Sequence, residues 1–333
     1  MHQLKIRLSP YFSGLLSLII FLLSLPRFST LIYYMAKQLI QKIKEGEIVY
    51  GTCIVSTSPV WSGALSQSLL DFVFLDTEHI PLDRNELAML CKVYQAMGLA
   101  TIVRISYPDP YLACMAKDAG ATGVLAPYVE DAGQIRQIVG ATKYRPLKGE
   151  RLYRVLDGTE TLEPELMSYL EKYNAGSMCL VNIESMTAVA RLSSLLDSPG
   201  LDAVIIGPHD LSINMGLPEQ YEHPEFEKVV REIIHQARGK GIAAGIHFPG
   251  NPERQIKWIK EGANIVLHSS DMGLFSQKLK EDIYLIRRAA GERLYDRKSA
   301  GEQFSVSSAV EEHLIARKSA GERLGPDNAN LII

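Results

Sequence analysis

The chain has 333 residues, 47% of them hydrophobic and 22% charged, with a formal net charge of −3. An apolar fraction of this size excludes wholesale disorder, and 25 glycines with 16 prolines exclude collagen-like and low-complexity chains. The balance of charge lacks the basic footprint of a nucleic-acid binder, so no nucleic-acid partner is expected.

Charge is spread unevenly. Residues 1–34 hold Lys5, Arg7 and Arg27 and no acid, and residues 287–333 hold eight bases and seven acids. That leaves −7 on the 252 residues of 35–286. A (β/α)8 barrel needs roughly 250 residues. The expected organisation is therefore an apolar leader at 1–34, one barrel at 35–286 and a polar tail at 287–333.

Within the leader, Gly14–Leu25 is an uncharged apolar run stopped by Pro26-Arg27. It is short for a membrane span of about 20 residues. It fits the apolar core of a signal peptide better, but no A-x-A-like cleavage site follows. Met35 opens MAKQLIQKIKEGEIVYG, a natural start for a soluble enzyme. An export signal, a membrane tether and an over-extended gene start all stay open for residues 1–34. A membrane is a partner only if that leader is retained.

From residue 45 onward, short apolar runs alternate with helical stretches. The expected strands are Val49–Val55, Phe72–Leu75, Thr101–Ile105, Gly123–Ala126, Met178–Ile183, Ala203–Ile206, Ile242–Ile246 and Ile265–Leu267. The expected helices are Asn85–Met97, Tyr111–Ala119, Asp131–Ala141, Met186–Leu196, Glu225–Arg238, Glu253–Glu261 and Gln277–Ala289. The strand runs are continuous rather than alternating, as where both faces of a parallel sheet are buried. Glycine precedes several of them, in the place where it ends a helix. Eight such units predict an α/β fold, a (β/α)8 TIM barrel, with a doubly wound sheet as the alternative.

Cys53, Cys91, Cys114 and Cys179 show no C-x-x-C spacing and sit among apolar residues. That predicts buried free thiols in a reducing compartment, hence a cytoplasmic protein, with membrane tethering or export through residues 1–34 as the alternative. Near copies of one octapeptide, RRAAGERL, RKSAGEQF and RKSAGERL, recur at 287–294, 297–304 and 317–324. Their spacing is too short and irregular for a solenoid, and a helix end followed by a mobile tail is expected.

A barrel places its chemistry at the C-terminal ends of its strands. Polar residues collect there: Asp76-Thr77-Glu78-His79, Arg104, Asn182-Ile183-Glu184, Gly207-Pro208-His209-Asp210, His247 and His268-Ser269-Ser270-Asp271. Glu184 and Asp210 come from consecutive strands. Their convergence suits a hard octahedral cation, Mg²⁺ or Mn²⁺. Each carboxylate alone fits a salt bridge or a helix cap as well, and Asp210 is placed to cap a helix. Arg104 can grip a substrate carboxylate through its fork, or bridge internally to Glu78 or Glu184. His79 is the leading candidate for a general base. His209, His247 and His268 offer the same chemistry, and spacing does not choose among them.

LDTEHIPLD (75–83), GVLAPYVED (123–131), VNIES (181–185), IGPHDLSINMGLPEQYEHPEF (206–226) and GANIVLHSSDMGL (262–274) together resemble the HpcH/HpaI aldolases. YRPLKGER (144–151) is similar to that family's Y-P-P-x-G-x-R segment. The resemblance covers about Gln41–Ile286. It implies a class II, pyruvate-dependent aldolase with a divalent metal on Glu184 and Asp210. It implies Arg104 on the pyruvate oxygens, His79 as catalytic base, and Asp76 in support. Asp118 is implied to pair with the base across a subunit interface, and Arg151 to lie in a loop that closes a neighbouring site. Asn182, Gly207, Pro208 and His209 fall at substrate-binding positions. A homo-oligomer, a hexamer or trimer of dimers, is implied as well. Asn182 stands where Gln is common, Arg145 replaces the first proline of Y-P-P, Leu152 stands where Gly is usual, and His209 stands where many relatives have Ala.

The implied reaction cleaves, or forms, 2-keto-3-deoxy or 4-hydroxy-2-keto acids through a metal-stabilised pyruvate enolate. Pyruvate and an aldehyde are the products. No lysine stands at a matching strand end, which disfavours a Schiff base. One competing expectation is a citrate-synthase-like condensation, or a citryl or malyl thioester lyase, on the same enolate. Another, of a different class, is an inactive membrane-tethered binding protein.

Overall fold

The computed structural model of the chain describes residues 38–58 and 60–291. The leader at 1–34 and the repeats at 297–304 and 317–324 lie outside the described residues. The chain divides into two compact units at Leu274/Phe275, and the barrel belongs to the first.

Eight parallel strands close in sequence order, each paired with the next and β8 paired with β1. They are β1 (Val49–Ile54), β2 (Phe72–Asp76), β3 (Ala100–Arg104), β4 (Gly123–Ala126), β5 (Met178–Ile183), β6 (Ala203–Ile206), β7 (Ala243–Phe248) and β8 (Ile265–Ser270). This is the expected (β/α)8 barrel, and closure rules out the doubly wound alternative. The described helices are α1 (38–44), α2 (Val60–Leu65), α3 (Arg84–Ala96), α4 (Pro110–Ala119), α5 (Ala132–Lys143), α6 (Gly149–Leu156), α7 (Pro164–Tyr173), α8 (Met186–Ala190), α9 (Leu192–Leu196), α10 (Pro208–Asn214), α11 (Pro224–Gly239), α12 (Pro252–Lys260) and α13 (Asp271–Ala289). No described helix is long and apolar enough to cross a membrane.

Alternation along each strand makes two cores. Phe72, Phe74, Ala100, Ile102, Leu125, Met178, Leu180, Ala203, Ile205, Ala243, Ile265 and Leu267 fill the barrel. Their neighbours Val73, Leu75, Val103, Val124, Val181, Val204, Ala244 and Ile246 face the helices. Hence the strands read as unbroken apolar runs. Local signals set the helix ends. Asp83 and Glu86 form a capping box on α3. Gly120, at φ 113°, ends α4 in the left-handed region just before β4.

The expected helix Met186–Leu196 is two short helices, α8 and α9, joined at Arg191. Residues 149–173, where no helix was expected, hold α6 and α7. α6 packs on α5, where a Cβ on Gly140 would meet Leu156 at 2.6 Å. The cysteines are free, with Cys53, Cys91 and Cys179 buried and Cys114 half-buried.

Asp271, at the end of β8, looked chemical in the sequence. Its carboxylate instead accepts the N–H groups of Val55 and Ser56 at 2.9 and 3.1 Å. It thus ties the exit of β1 to the exit of β8, where the barrel closes. Removing it takes the acceptor from both of these donors and from the Met272 N–H at 2.7 Å. Asp271→Ala should cost about 2–3 kcal/mol of unfolding free energy, read as a lower urea midpoint with an unchanged slope.

Candidate functional site

The inward positions at the strand exits follow from the alternation inside the barrel. They are Asp76 on β2, Arg104 on β3, Asn182 on β5 with Glu184 two residues on, Gly207 after β6, and His247 on β7. All stand at the mouth through which the loops emerge.

Asp76 and Arg104 are register partners on β2 and β3. The guanidinium donates Nε–H to Asp76 Oδ1 at 2.9 Å and Nη2–H to Oδ2 at 2.6 Å, a bidentate pair. Its Nε also lies 3.1 Å from Glu78 Oε2. Burial pushes the Asp76 carboxyl up, and the Arg104 fork more than offsets it, leaving it below the ordinary range. Burial keeps Glu78 above its ordinary value even beside Arg104. The internal bridge is therefore made, to Asp76 and Glu78 rather than to Glu184. Nη1 of Arg104 has no hydrogen-bond partner among the described residues and stays available to an oxyanion.

Glu184 is 2% exposed, and its Oε2 is a buried oxygen without a partner. Oε1 accepts the Tyr128 N–H at 2.6 Å. Burial lifts the Glu184 carboxyl to about 7, the Tyr128 N–H opposes, and the Asp210 carboxylate adds to the rise. Asp210 sits in the first turn of α10, whose N-cap is Gly207. It is thus not a helix cap. Its Oδ1 accepts the Tyr128 hydroxyl at 3.2 Å. Gly207 leaves room for this arrangement: a Cβ there would stand 2.4 Å from Glu184 Oε2, so the carboxylate would have to shift.

The residues fit a hard cation on these grounds. An orphaned anionic oxygen is buried beside a second carboxylate, and the donors are oxygens. No group of three or more His, Cys, Asp or Glu suited to a metal occurs among the described residues. Glu184 and Asp210 would offer two carboxylates, leaving further positions to water or substrate.

The histidines separate by environment. His79 is exposed at the rim, with Nε2 3.8 Å from Glu78 Oε2. His247 packs edge-on to Phe74 and places Nε2 3.2 Å from the Ser269 carbonyl. Burial pushes it down to about 4, so it is neutral at pH 7. His209 is exposed on α10, with Nδ1 3.6 Å from Glu219. His268 follows the outward register of β8, opposite Phe248. Pro208 is buried at the start of α10. Asn182 donates to the Ile205 carbonyl at 3.2 Å, and its own Oδ1 is buried without a partner.

Two expected site residues lie elsewhere in the chain. Asp118 is in the last turn of α4, a helix that leaves the mouth and ends at the opposite face, and it pairs with Arg145. It is not beside His79 of its own chain. Arg151 is in helix α6, not a loop, and binds Glu160 and Glu163 at 2.6 Å each. Tyr128 was missed in the sequence. Its one signal was an aromatic directly after Pro127 at a strand exit.

The sequence matches the HpcH/HpaI aldolase/citrate lyase family over residues 52–277. The chain belongs to that family. A 2-dehydro-3,6-dideoxy-6-sulfogluconate aldolase of Pseudomonas putida is 30% identical over 239 residues, 72% of this chain and 92% of that protein. A 2-keto-3-deoxy-L-rhamnonate aldolase of Escherichia coli is 29% identical over 74% of this chain and 92% of its own. Among solved structures, an HpcH/HpaI aldolase from Desulfitobacterium hafniense superposes with a TM-score of 0.65 at 25% identity, covering 74% of this chain and 95% of that one. A citrate synthase does so with a TM-score of 0.65 at 26% identity, covering 76% and 99%. This chain is thus similar to enzymes named as aldolases, that is, carbon–carbon lyases.

The Gly207 contact gives a direct test of the site. Gly207→Ala should move the Glu184 carboxylate by about an ångström and lower kcat/KM roughly 100-fold, in a protein whose thermal midpoint stays close to the parent's.

Proposed function

We propose that this chain is a metal-dependent aldolase that cleaves 2-keto-3-deoxy or 4-hydroxy-2-keto acids to pyruvate and an aldehyde. The observation that carries the reading is the buried, unpartnered Oε2 of Glu184 beside Asp210, facing the Arg104 fork across the mouth. Relatives named as keto-deoxy sugar acid aldolases support it. Glu184 and Asp210 would hold the divalent cation, Mg²⁺ or Mn²⁺, that the family generally uses. When bound, the cation supplies Lewis acidity to the keto and carboxylate oxygens of the substrate.

The chain's own groups do the rest. Arg104 Nη1 offers positive charge to the developing enolate oxygen, and Asp76 with Glu78 fixes the plane of the fork. Asn182 Oδ1 accepts from a hydroxyl or water at the pocket floor. Gly207 leaves room for Glu184, and Pro208 and His209 border the pocket at the start of α10. His79 takes the proton of the C4 hydroxyl as the C3–C4 bond breaks. The electron pair remains on the pyruvate fragment as enolate, the aldehyde leaves, and C3 is then protonated. Burial leaves His247 too weak a base for that role.

Pyruvate release from a panel of 2-keto-3-deoxy acids, with Mg²⁺ or Mn²⁺ and with EDTA, tests the reading. Glu184→Gln and Asp210→Asn should each lower kcat/KM by more than about 100-fold. Silence on every hydroxy-keto acid, with turnover of citryl or malyl thioesters or condensation of oxaloacetate with an acyl donor, would favour the second reading. The citrate synthase neighbour is what supports that one.

Asp118 cannot reach His79 inside one chain, so its pairing with the base requires a second copy, and a homo-oligomer is part of the proposal. Arg151 on α6 belongs with the same neighbouring copy. His79→Ala and Asp118→Ala should each be inactive alone. Mixed under subunit exchange they should regain activity, because one intact site forms for each doubly altered one. Absence of any recovery sinks the shared site.

A further inference from the structure

Among the described residues, Tyr128 is the one that hydrogen-bonds to both carboxylates of the candidate cation site. It follows β4, whereas Glu184 and Asp210 follow β5 and β6. Its backbone sits at φ 45°, in the left-handed region that residues with a Cβ rarely adopt. Non-glycine residues in that region often mark functional sites, where surrounding contacts hold the strain. Here two contacts do so. The N–H points at Glu184 Oε1 at 2.6 Å, and the hydroxyl reaches Asp210 Oδ1 at 3.2 Å.

The consequence lies in which oxygens remain. With Oε1 held, Glu184 keeps only Oε2, which is buried and unpartnered. With Oδ1 held, Asp210 keeps Oδ2, which accepts no hydrogen bond from the described residues. The two free oxygens belong to groups close enough to perturb one another. Donors on their other oxygens oppose the tendency of two like charges to turn away from one another. A Tyr128 that served only packing would have no need of the left-handed backbone or the aimed hydroxyl. The residue is 44% exposed at the rim.

We infer that Tyr128 is the positioning residue of the metal site, a two-handed clamp that turns Glu184 Oε2 and Asp210 Oδ2 toward one divalent cation. The inference rests on the proposed roles of Glu184 and Asp210. Partners that orient metal ligands are worth about 10- to 100-fold in affinity.

Mn²⁺ binding to the metal-stripped full-length protein tests it, read by calorimetry and by the loss of the free-ion resonance signal. Tyr128→Phe keeps the ring and the N–H and removes only the hydroxyl. Its Mn²⁺ dissociation constant should rise about 10-fold, with the thermal midpoint of the metal-free protein unchanged. Tyr128→Asn tolerates the same backbone angle and lacks the hydroxyl's reach, so it should show the same loss independently of the ring. In turnover, the Phe variant should recover most of its rate as Mn²⁺ is raised, because only the occupancy of the site has changed. Wild-type affinity in both variants would overturn the clamp. Glu184→Ala serves as the reference: if it binds Mn²⁺ as tightly as the wild type, the assignment of the carboxylates fails, and the clamp falls with it.

Discussion

Glu184 carries its carboxylate into the mouth of a closed barrel, where it is 2% exposed and one oxygen has nothing to accept from. Water cannot neutralise that charge, and the second carboxylate nearby makes matters worse. A buried anion in this position must be protonated or meet a cation. The lift of its carboxyl to about 7 expresses that conflict in the bare protein. Much of the mouth is arranged around it. Gly207 gives up a side chain to make room, Tyr128 accepts a strained backbone to supply a donor, and Asp210 is delivered by the first turn of α10.

Arg104 shows the opposite solution to the same constraint. It is equally committed to the barrel interior, but Asp76 and Glu78 surround it. The three groups together carry one negative charge and need no cation. The mouth therefore has a half built on β2 and β3, where the charges are paired and one guanidinium nitrogen is left over, and a half built on β5 and β6, where two carboxylates have no cation among the described residues. A keto acid has both needs in one molecule: oxygens for a metal and a developing negative charge for a guanidinium. The two halves face one another across a space whose floor is the Phe74, Leu180 and Ile205 layer.

The barrel was legible in the sequence because its inner and outer cores make each strand apolar on both faces. The strand exits were less legible. An apolar run ends at Ile246, but β7 continues through His247 to Phe248, because His247 is held by the Ser269 carbonyl and Phe248 still pairs with β8. Similarly β8 runs past Leu267 to Ser270. The carboxylate pair was legible from its place at consecutive strand ends, and Asp271, in an equivalent place, was misleading. Only the structure separates them: Asp271 finds three backbone N–H groups, and Glu184 finds one. Tyr128 was invisible for a different reason, since a left-handed backbone at a tyrosine leaves no mark in composition or periodicity.

Asp118 follows from the barrel's direction of travel. Every strand carries the chain to the mouth and every following helix carries it away, so the last turn of a helix and the end of a strand belong to opposite faces. A residue at the end of α4 cannot serve a histidine after β2 in the same chain, whatever its side-chain rotamer. Its carboxylate is 60% exposed and, among the described residues, is held by Arg145. An exposed pair of this kind contributes little stability and breaks at little cost. Asp118 is thus free to change partners when another copy approaches. On the proposed pairing with His79, its place at the opposite face would require an active unit of more than one chain.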